Sequence, residues 1–185
     1  MSDDGFAVKL EGVTKRFGKH TAVLDFDFEV PRGTICGLLG PNGSGKTTSI
    51  RMIMGILHPD EGRVSLFGSD PDVTRRTKVG YLPEERGLYK KMKVLELLTF
   101  LAEIRGVSRS EGRKRAGVWL ERLGLTEWSD KRAEDLSKGM QQKVQFIGTV
   151  LHDPELLILD EPFSGLDPIN QDVLEEIVRD YHAKG

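Results

Sequence analysis

This chain of 185 residues has one cysteine, Cys36, and no long apolar run. A single thiol cannot form an internal disulfide, so the fold cannot depend on one. No segment approaches the roughly 20 apolar residues that cross a bilayer, and the N-terminus lacks the basic and apolar regions of a secretory signal. We therefore expect a protein that is made and kept in the cytosol.

An excess of charge of either sign is also absent, since 27 basic residues balance 29 acidic residues and the formal net charge is −2. This balance provides no general attraction to nucleic acid or anionic lipid, so nucleic acid is not an expected partner. The length suits one domain, and 38% hydrophobic with 30% charged residues is the composition of a soluble globular protein.

What the sequence does contain is a phosphate-binding pattern. Residues 40–47 have the sequence GPNGSGKT and fit G-x-x-x-x-G-K-[ST]. The apolar run 35–39 predicts a buried strand with Cys36 inside it, and residues 47–57 carry apolar side chains at helical spacing. A strand, a glycine loop and a helix in this order form the context that the pattern requires. The sequence therefore predicts a site for a nucleoside triphosphate with magnesium.

Each residue type in this loop has a physical role. Glycines let successive backbone N–H groups turn toward phosphate oxygens, and a helix opening near Gly45 adds its positive dipole end. Lys46, which we also predict to be catalytic, would reach the terminal phosphates. The Thr47 hydroxyl would bind magnesium and Thr48 would add a donor. The loop residues predicted to bind the nucleoside triphosphate are Asn42, Gly43, Ser44, Gly45, Lys46, Thr47 and Thr48.

Hydrophobic periodicity organises the rest of the chain. Residues 7–32 alternate between apolar and polar, which predicts half-buried antiparallel strands, and residues 63–68 predict another short strand. Residues 91–125 change to helical spacing and predict a helical insert. The apolar run 156–159 is typical of a buried central strand in a parallel sheet.

Two carboxylates, Asp160 and Glu161, follow that last strand at its carboxyl end, where ligands bind in open α/β sheets. Asp160 is placed to hold magnesium through its water shell. Glu161 can orient and polarise the attacking water, so we predict it to be catalytic. An acidic pair after a strand is more often a solvated turn, but the phosphate loop elsewhere in the chain favours the functional interpretation.

A third motif, LSKGMQQ at residues 136–142, opens a predicted helix, where serine is commonly just an N-cap. However, the order of phosphate loop, Ser-x-Gly-x-Gln segment, LDEP strand and SGLD at residues 164–167 resembles that of ABC transporter ATPase subunits. The resemblance extends from Phe17 to Asp167 and needs several motifs at suitable spacing. The same motifs look like the bacterial and archaeal export-type branch, which includes sodium and drug extrusion systems.

The resemblance implies roles for further residues and partners. Phe17 matches the aromatic residue that stacks on adenine, although a core phenylalanine is an alternative. Ser137, Gly139 and Gln141 match the segment that contacts, in trans, the ATP held by a second subunit. Asp167 matches the residue that links the two sites. ATP and Mg²⁺ would then lie at a head-to-tail homodimer interface, while the helical insert docks onto a separate membrane-spanning permease.

Three departures from the family pattern matter. Glu84 stands where a glutamine usually contacts magnesium and water, and we keep it among the residues expected to bind ATP. Lys138 and Met140 replace the usual glycine and glutamine of the helix-opening segment. The chain ends at Gly185, before the strand that carries a γ-phosphate histidine in the family, and His182 lies in a predicted helix instead. We therefore expect a C-terminally truncated domain with poor activity.

The resemblance implies an α/β fold of the P-loop NTPase (RecA-like) type, with a parallel-sheet core, an antiparallel β subdomain and an inserted α-helical subdomain. Residues 1–185 would form one ABC-type domain, with its core at 6–82 and 152–185 and the insert at 83–151. The expected function is the ATPase subunit of a transporter, favoured as an exporter and held by its permease at the inner membrane face. A soluble ABC-type ATPase acting in translation or on DNA ends, and a non-hydrolysing scaffold, are the alternatives.

Overall fold

A computed structural model describes residues 5–84, 87–163 and 168–183. The chain divides into two compact units, Met1–Arg76 with Tyr181–Gly185, and Thr77–Asp180. The regular elements are β1 Phe6–Phe17, β2 His20–Pro31, α1 Lys46–Ile53, β3 Glu61–Leu66, α2 Val73–Arg76, β4 Val79–Leu82, α3 Val94–Glu103, α4 Arg109–Arg122, α5 Lys138–Val150, β5 Leu156–Leu159 and α6 Pro168–Ala183, with short 3₁₀ turns at Thr126–Trp128 and Ala133–Asp135.

The first unit contains a three-stranded antiparallel sheet in the order β2-β1-β3. The sequence alternation places Val8, Leu10 and Val13 of the central strand in the core, each at most 3% exposed. The predicted antiparallel strands are confirmed, and β3 begins two residues earlier than the pattern indicated.

Helix α1 packs against β2 and β3 of this sheet and buries Ile50, Met52 and Ile53. The pattern predicted a helix over residues 47–57, but the helix ends at Ile53. Gly55 explains the earlier end, since its φ of 61° lies in the left-handed region that terminates helices.

The predicted strand over residues 35–39 is wrong. Residues 34–41 form no strand and pair with no strand of the described chain. Ile35 is 62% exposed and Leu39 is 92% exposed, and Cys36 is exposed rather than buried. An apolar run becomes a strand only when a neighbouring strand satisfies its backbone N–H and C=O groups. Here the segment pairs with none of β1, β2 and β3.

The second unit contains a parallel pair of strands, with β4 in register with β5 from Val79–Leu156 to Leu82–Leu159. Helix α5 crosses β4 at Gly80, where an added Cβ would lie 2.6 Å from the Thr149 carbonyl oxygen. The parallel strand at 156–159 is confirmed, but its four residues are half-buried rather than buried. Within the described chain, β5 has β4 as its strand neighbour and is not central.

Helices α3, α4 and α5 pack together in this second unit and confirm that the chain changes to helical structure here. Val94, Leu97 and Leu98 of α3 are fully buried, as their spacing predicts. At Gly112, an added Cβ would approach the Ala102 methyl group to 2.9 Å, so the glycine permits close contact between α3 and α4. None of the helices that the structure describes has the length and apolar character needed to cross a bilayer.

Candidate functional site

The phosphate loop in the first unit leads directly into α1, as the pattern requires. Gly45 is the N-cap residue and has no side chain that could occupy the first N–H groups of the helix. The first turn of α1 holds no acidic residue, so nothing there offsets the positive end of the helix dipole. This helix start is suited to an anion.

Glycine is required at two positions of the loop. Gly43 has a φ of 80° and Gly45 a φ of 91°, both in the left-handed region. A Cβ on Gly45 would lie 2.4 Å from the Ala22 carbonyl oxygen and 2.9 Å from a methyl carbon of Val23. The backbone of β2 thus approaches the loop so closely that only glycine fits at position 45.

Lys46 folds back over its own loop. Its Nζ donates hydrogen bonds to the carbonyl oxygens of Gly40 at 2.8 Å and Pro41 at 2.9 Å. The ammonium is therefore held within the loop, where phosphate oxygens could replace the two carbonyls as acceptors. Charged oxygens accept stronger hydrogen bonds than neutral carbonyls, so this exchange favours a bound phosphate.

A cavity of about 420 Å³ lies beside the loop, lined by residues of β2 and by loop residues that include Gly40 and Lys46. A second recess of about 500 Å³ lies in the same unit, bordered by a lysine and by the carboxylates of Glu11, Asp27 and Glu29. Three carboxylates would repel a triphosphate, so the cavity beside the loop is the better nucleotide candidate.

Phe17 ends β1 in the first unit, with 48% of its surface exposed. This exposure fits a stacking platform better than the alternative of a core phenylalanine. The preceding residues, Lys15 and Arg16, are bound by the carboxylate of Asp60 in the turn before β3. The sequence pattern predicted only a turn at this position, and it gave no signal for a contact that spans 45 residues.

The acidic residues of the second unit follow the two parallel strands at the same edge. Asp160 extends the pairing by one residue, because its N–H donates to the Leu82 carbonyl oxygen at 2.9 Å, and it is 7% exposed. Glu161 and Glu84 lie beyond the paired residues and are exposed. The register of β4 and β5 places all three residues after the carboxyl ends of the two strands.

Glu161 has a φ of 50°, a left-handed conformation that a non-glycine residue rarely adopts. Such a backbone costs about 1–3 kcal/mol and ends the extended conformation of the strand. The Gln142 amide of α5 donates to the carbonyl oxygen of Pro162 at 3.2 Å, which ties the helix to this turn.

Helix α5 begins at the Ser-x-Gly-x-Gln segment, as predicted. Ser137 is its exposed N-cap, with Oγ accepting from the Met140 N–H at 3.3 Å. Gly139 follows in the first turn and is half-buried. The Gln141 amide donates to the Leu136 carbonyl oxygen at 3.0 Å, so part of this side chain serves its own helix start.

A half-buried cluster around the Val79 carbonyl was not predicted. Arg105 Nη1 and His152 Nε2 both lie 3.3 Å from this oxygen. Because a carbonyl only accepts, Nε2 carries a proton, and the buried Nδ1 has no hydrogen-bond partner among the described residues. Burial, followed by the charge of Arg105, lowers the pKa of His152. Both effects favour the neutral imidazole.

The predicted site residues thus form three groups. The loop and Phe17 belong to the first unit, whereas the strand-end carboxylates and the start of α5 belong to the second. Asp167 lies outside the described residues. His182 is exposed and lies in α6, the helix in which the sequence placed it. No group of three or more His, Cys, Asp or Glu residues in the described ranges is arranged to hold a metal ion.

Comparison with known proteins relates this chain to ABC transporter proteins. The family model described as ABC transporter matches residues 23–164. The uncharacterized ABC transporter ATP-binding protein YhaQ of Bacillus subtilis (strain 168) is 53% identical over 169 residues, which cover 91% of this chain and 57% of that protein. The bacitracin transport ATP-binding protein BcrA of Enterococcus faecalis is 40% identical over 167 residues, covering 89% of this chain and 53% of that protein.

A solved structure of the ATP binding subunit of an ABC transporter superposes on this fold with a TM-score of 0.88 and 33% sequence identity. The match covers 97% of this chain and 76% of the other. The likeness confirms the predicted P-loop NTPase fold. Our chain spans a little over half the length of the two curated relatives.

Proposed function

The chain belongs to the ABC transporter ATP-binding family, and from this membership we propose that it binds and hydrolyses ATP to power an exporter. The observation that carries the proposal is the loop that opens α1, with left-handed glycines, an unblocked helix start and Lys46 positioned by Gly40 and Pro41. The bacitracin transport protein among the relatives supports a role in transport, and export follows from the resemblance to the export-type branch. The soluble alternative is set aside, because the relatives described above are transporter proteins.

Triphosphate binding is assigned to the loop. Its backbone N–H groups surround the phosphates, and Lys46 exchanges the Gly40 and Pro41 carbonyls for phosphate oxygens. Asn42, Ser44 and Thr48 complete the loop contacts. Phe17 supplies an exposed ring for the adenine base.

Magnesium is assigned to two oxygen donors, the Thr47 hydroxyl and the Asp160 carboxylate. Hydroxyl, carboxylate and water oxygens suit this hard cation, which keeps several waters when it binds. The ion would neutralise charge on the transferring phosphate. Asp160 is only 7% exposed, so neighbouring atoms restrict its carboxylate. From this position the carboxylate would contact the ion through one of the waters bound to the metal.

Water activation is assigned to Glu161. Its exposed carboxylate is directed by a strained turn that Gln142 of α5 fastens through Pro162. It accepts the proton of the attacking water while the bond to the terminal phosphate breaks. Glu84 lies at the same edge and has a carboxylate where the family usually has an amide, so it adds negative charge near the metal and water.

A second copy of the chain completes the site in the proposal. Ser137 and Gly139 present the start of α5 to the γ-phosphate held by the other subunit, with Gln141 beside them. Asp167 would link the two sites. ATP then joins the head-to-tail dimer, and hydrolysis releases it.

The domain organisation and location are part of the same proposal. Residues 6–82 and 152–185 would form the nucleotide-binding core of one domain, and residues 83–151 its helical insert. The insert would dock onto a separate permease, which holds the subunit at the cytoplasmic face of the membrane.

Glu161→Gln tests the hydrolytic proposal, because an amide cannot accept the proton. We expect the variant to form a stable dimer with MgATP, but not with MgADP, in analytical ultracentrifugation, and to lose hydrolysis. Glu155→Gln is the matched control, since Glu155 precedes β5 and pairs with Lys78 at the surface. Hydrolysis at the normal rate by Glu161→Gln, with no ATP-dependent dimer, would contradict the proposal.

A further inference from the structure

The carboxylate of Asp60 forms hydrogen bonds with the residues of β1 that precede Phe17. Asp60 Oδ1 accepts from Lys15 Nζ at 2.9 Å, and Oδ2 accepts from the backbone N–H of Arg16 at 2.6 Å. The N–H of Asp60 itself donates to the Thr14 carbonyl oxygen at 2.8 Å. A single residue thus binds three consecutive positions of β1, immediately before the aromatic ring.

Lys15 connects this carboxylate to the ring. Its Nζ lies 5.8 Å from the centroid of the Phe17 ring, within the range of a cation–π interaction. The Lys15 side chain is only 15% exposed, whereas that of Asp60 is 39% exposed. A lysine is rarely so covered without a charged partner, and Asp60 supplies that partner.

The ionised form of Asp60 is the one that these contacts favour. The Lys15 ammonium, followed by the Arg16 N–H, lowers the pKa of the Asp60 carboxyl. The neighbouring pair between Arg16 and Glu61, at 2.7 Å, has both side chains more than 40% exposed and contributes less.

We propose that Asp60 is a positioning residue for the nucleotide base, which holds Lys15 against one face of Phe17 and leaves the other face for adenine. This inference rests on the proposed ATP-binding function. Phe17 stands at the strand end, just before the turn of Gly18, where a ring would otherwise sample several orientations. A ring that is already held in one orientation loses less conformational entropy when the base binds.

A purely structural role is the competing explanation, since Asp60 also joins β1 to the turn before β3. The two roles differ in the ligand that they affect. A positioning role concerns the base, so it changes the affinity for ATP and leaves a base-free triphosphate unaffected. A structural role changes the loop and the base platform together, or changes stability alone.

The test compares affinities for MgATP and for magnesium tripolyphosphate by isothermal titration calorimetry. Phe17→Ala removes the stacking surface and should weaken ATP binding roughly tenfold or more. Asp60→Asn should weaken ATP binding roughly three- to tenfold, with tripolyphosphate affinity unchanged. Added to Phe17→Ala, it should have no further effect, because the ring it positions is gone.

Lys15→Met keeps the packing of the side-chain stem and removes the ammonium, so it provides a second variant if Asp60→Asn folds poorly. Asp70→Asn is the control, since it breaks an exposed pair with Arg63 that does not involve the Phe17 segment. Three results would overturn the inference. Asp60→Asn could lose equal affinity for both ligands, or its loss could add to that of Phe17→Ala. The third is an unchanged ATP affinity in both Asp60→Asn and Lys15→Met. A wild-type chain that binds neither ligand would overturn the proposed function itself, and this inference with it.

Discussion

Replacing Ser137 with alanine should cost both stability and activity, and the chain offers a way to separate the two. Ser137 caps α5 with a hydrogen bond of 3.3 Å to the Met140 N–H. Ser108 caps α4 in the same way, with a distance of 3.4 Å to the Glu111 N–H. Loss of a serine N-cap costs about 1 kcal/mol, so Ser137→Ala and Ser108→Ala should lower the free energy of unfolding by similar amounts.

Of these two serines, only Ser137 is assigned a contact with the γ-phosphate of a second subunit. A hydrogen bond to a charged group contributes about 1.5–3 kcal/mol, which corresponds to a loss of roughly 10- to 150-fold in hydrolysis. Urea denaturation would give the stability of each variant, and steady-state ATP hydrolysis its activity. The reasoning is refuted if both variants lose activity equally, or if Ser137→Ala hydrolyses ATP at the wild-type rate.

Three further predictions concern glycine and histidine positions. Gly45→Ala, with its Cβ 2.4 Å from the Ala22 carbonyl oxygen, should abolish binding of a fluorescent ATP analogue; undiminished binding would disprove the close approach. Gly80→Ala should lower the free energy of unfolding by about 1–3 kcal/mol through overpacking on α5. Gly117→Ala is the control and should not destabilise the fold, since an added Cβ there would have nothing within 4 Å. Urea unfolding measures both, and equal stability of the two variants would contradict the prediction. His152 has a lowered pKa in the fold, so the stability it contributes is present above the unfolded value near 6.5 and is lost at lower pH. His152→Gln, but not the exposed His182→Gln, should flatten this dependence between pH 8 and pH 5; an unchanged slope would contradict it.

Sequence patterns predicted well those elements that depend on residues close together in the chain. Alternation along β1 and the helical spacing of Val94, Leu97 and Leu98 each follow from which face is buried, and the structure agrees. The Ser137 cap and the glycine loop depend on neighbouring residues, so they too could be predicted.

The elements that were missed depend on distant residues. Residues 35–39 are as apolar as a buried strand, but whether they form one depends on a partner strand elsewhere in the chain. The bond from Lys15 to Asp60 joins residues 45 positions apart, so a turn pattern around Asp60 gave no indication of it. The same limit applies to His152 and Val79, which are separated by 73 positions.

The central claim is that the loop before α1 binds a triphosphate through Lys46. The direct measurement is the equilibrium affinity for MgATP of the wild-type chain, of Lys46→Ala, and of Lys78→Ala, a lysine paired with Glu155 at the surface. We predict that Lys78→Ala binds as the wild type does, while Lys46→Ala loses at least tenfold in affinity. Equal affinities for Lys46→Ala and wild type would contradict the account.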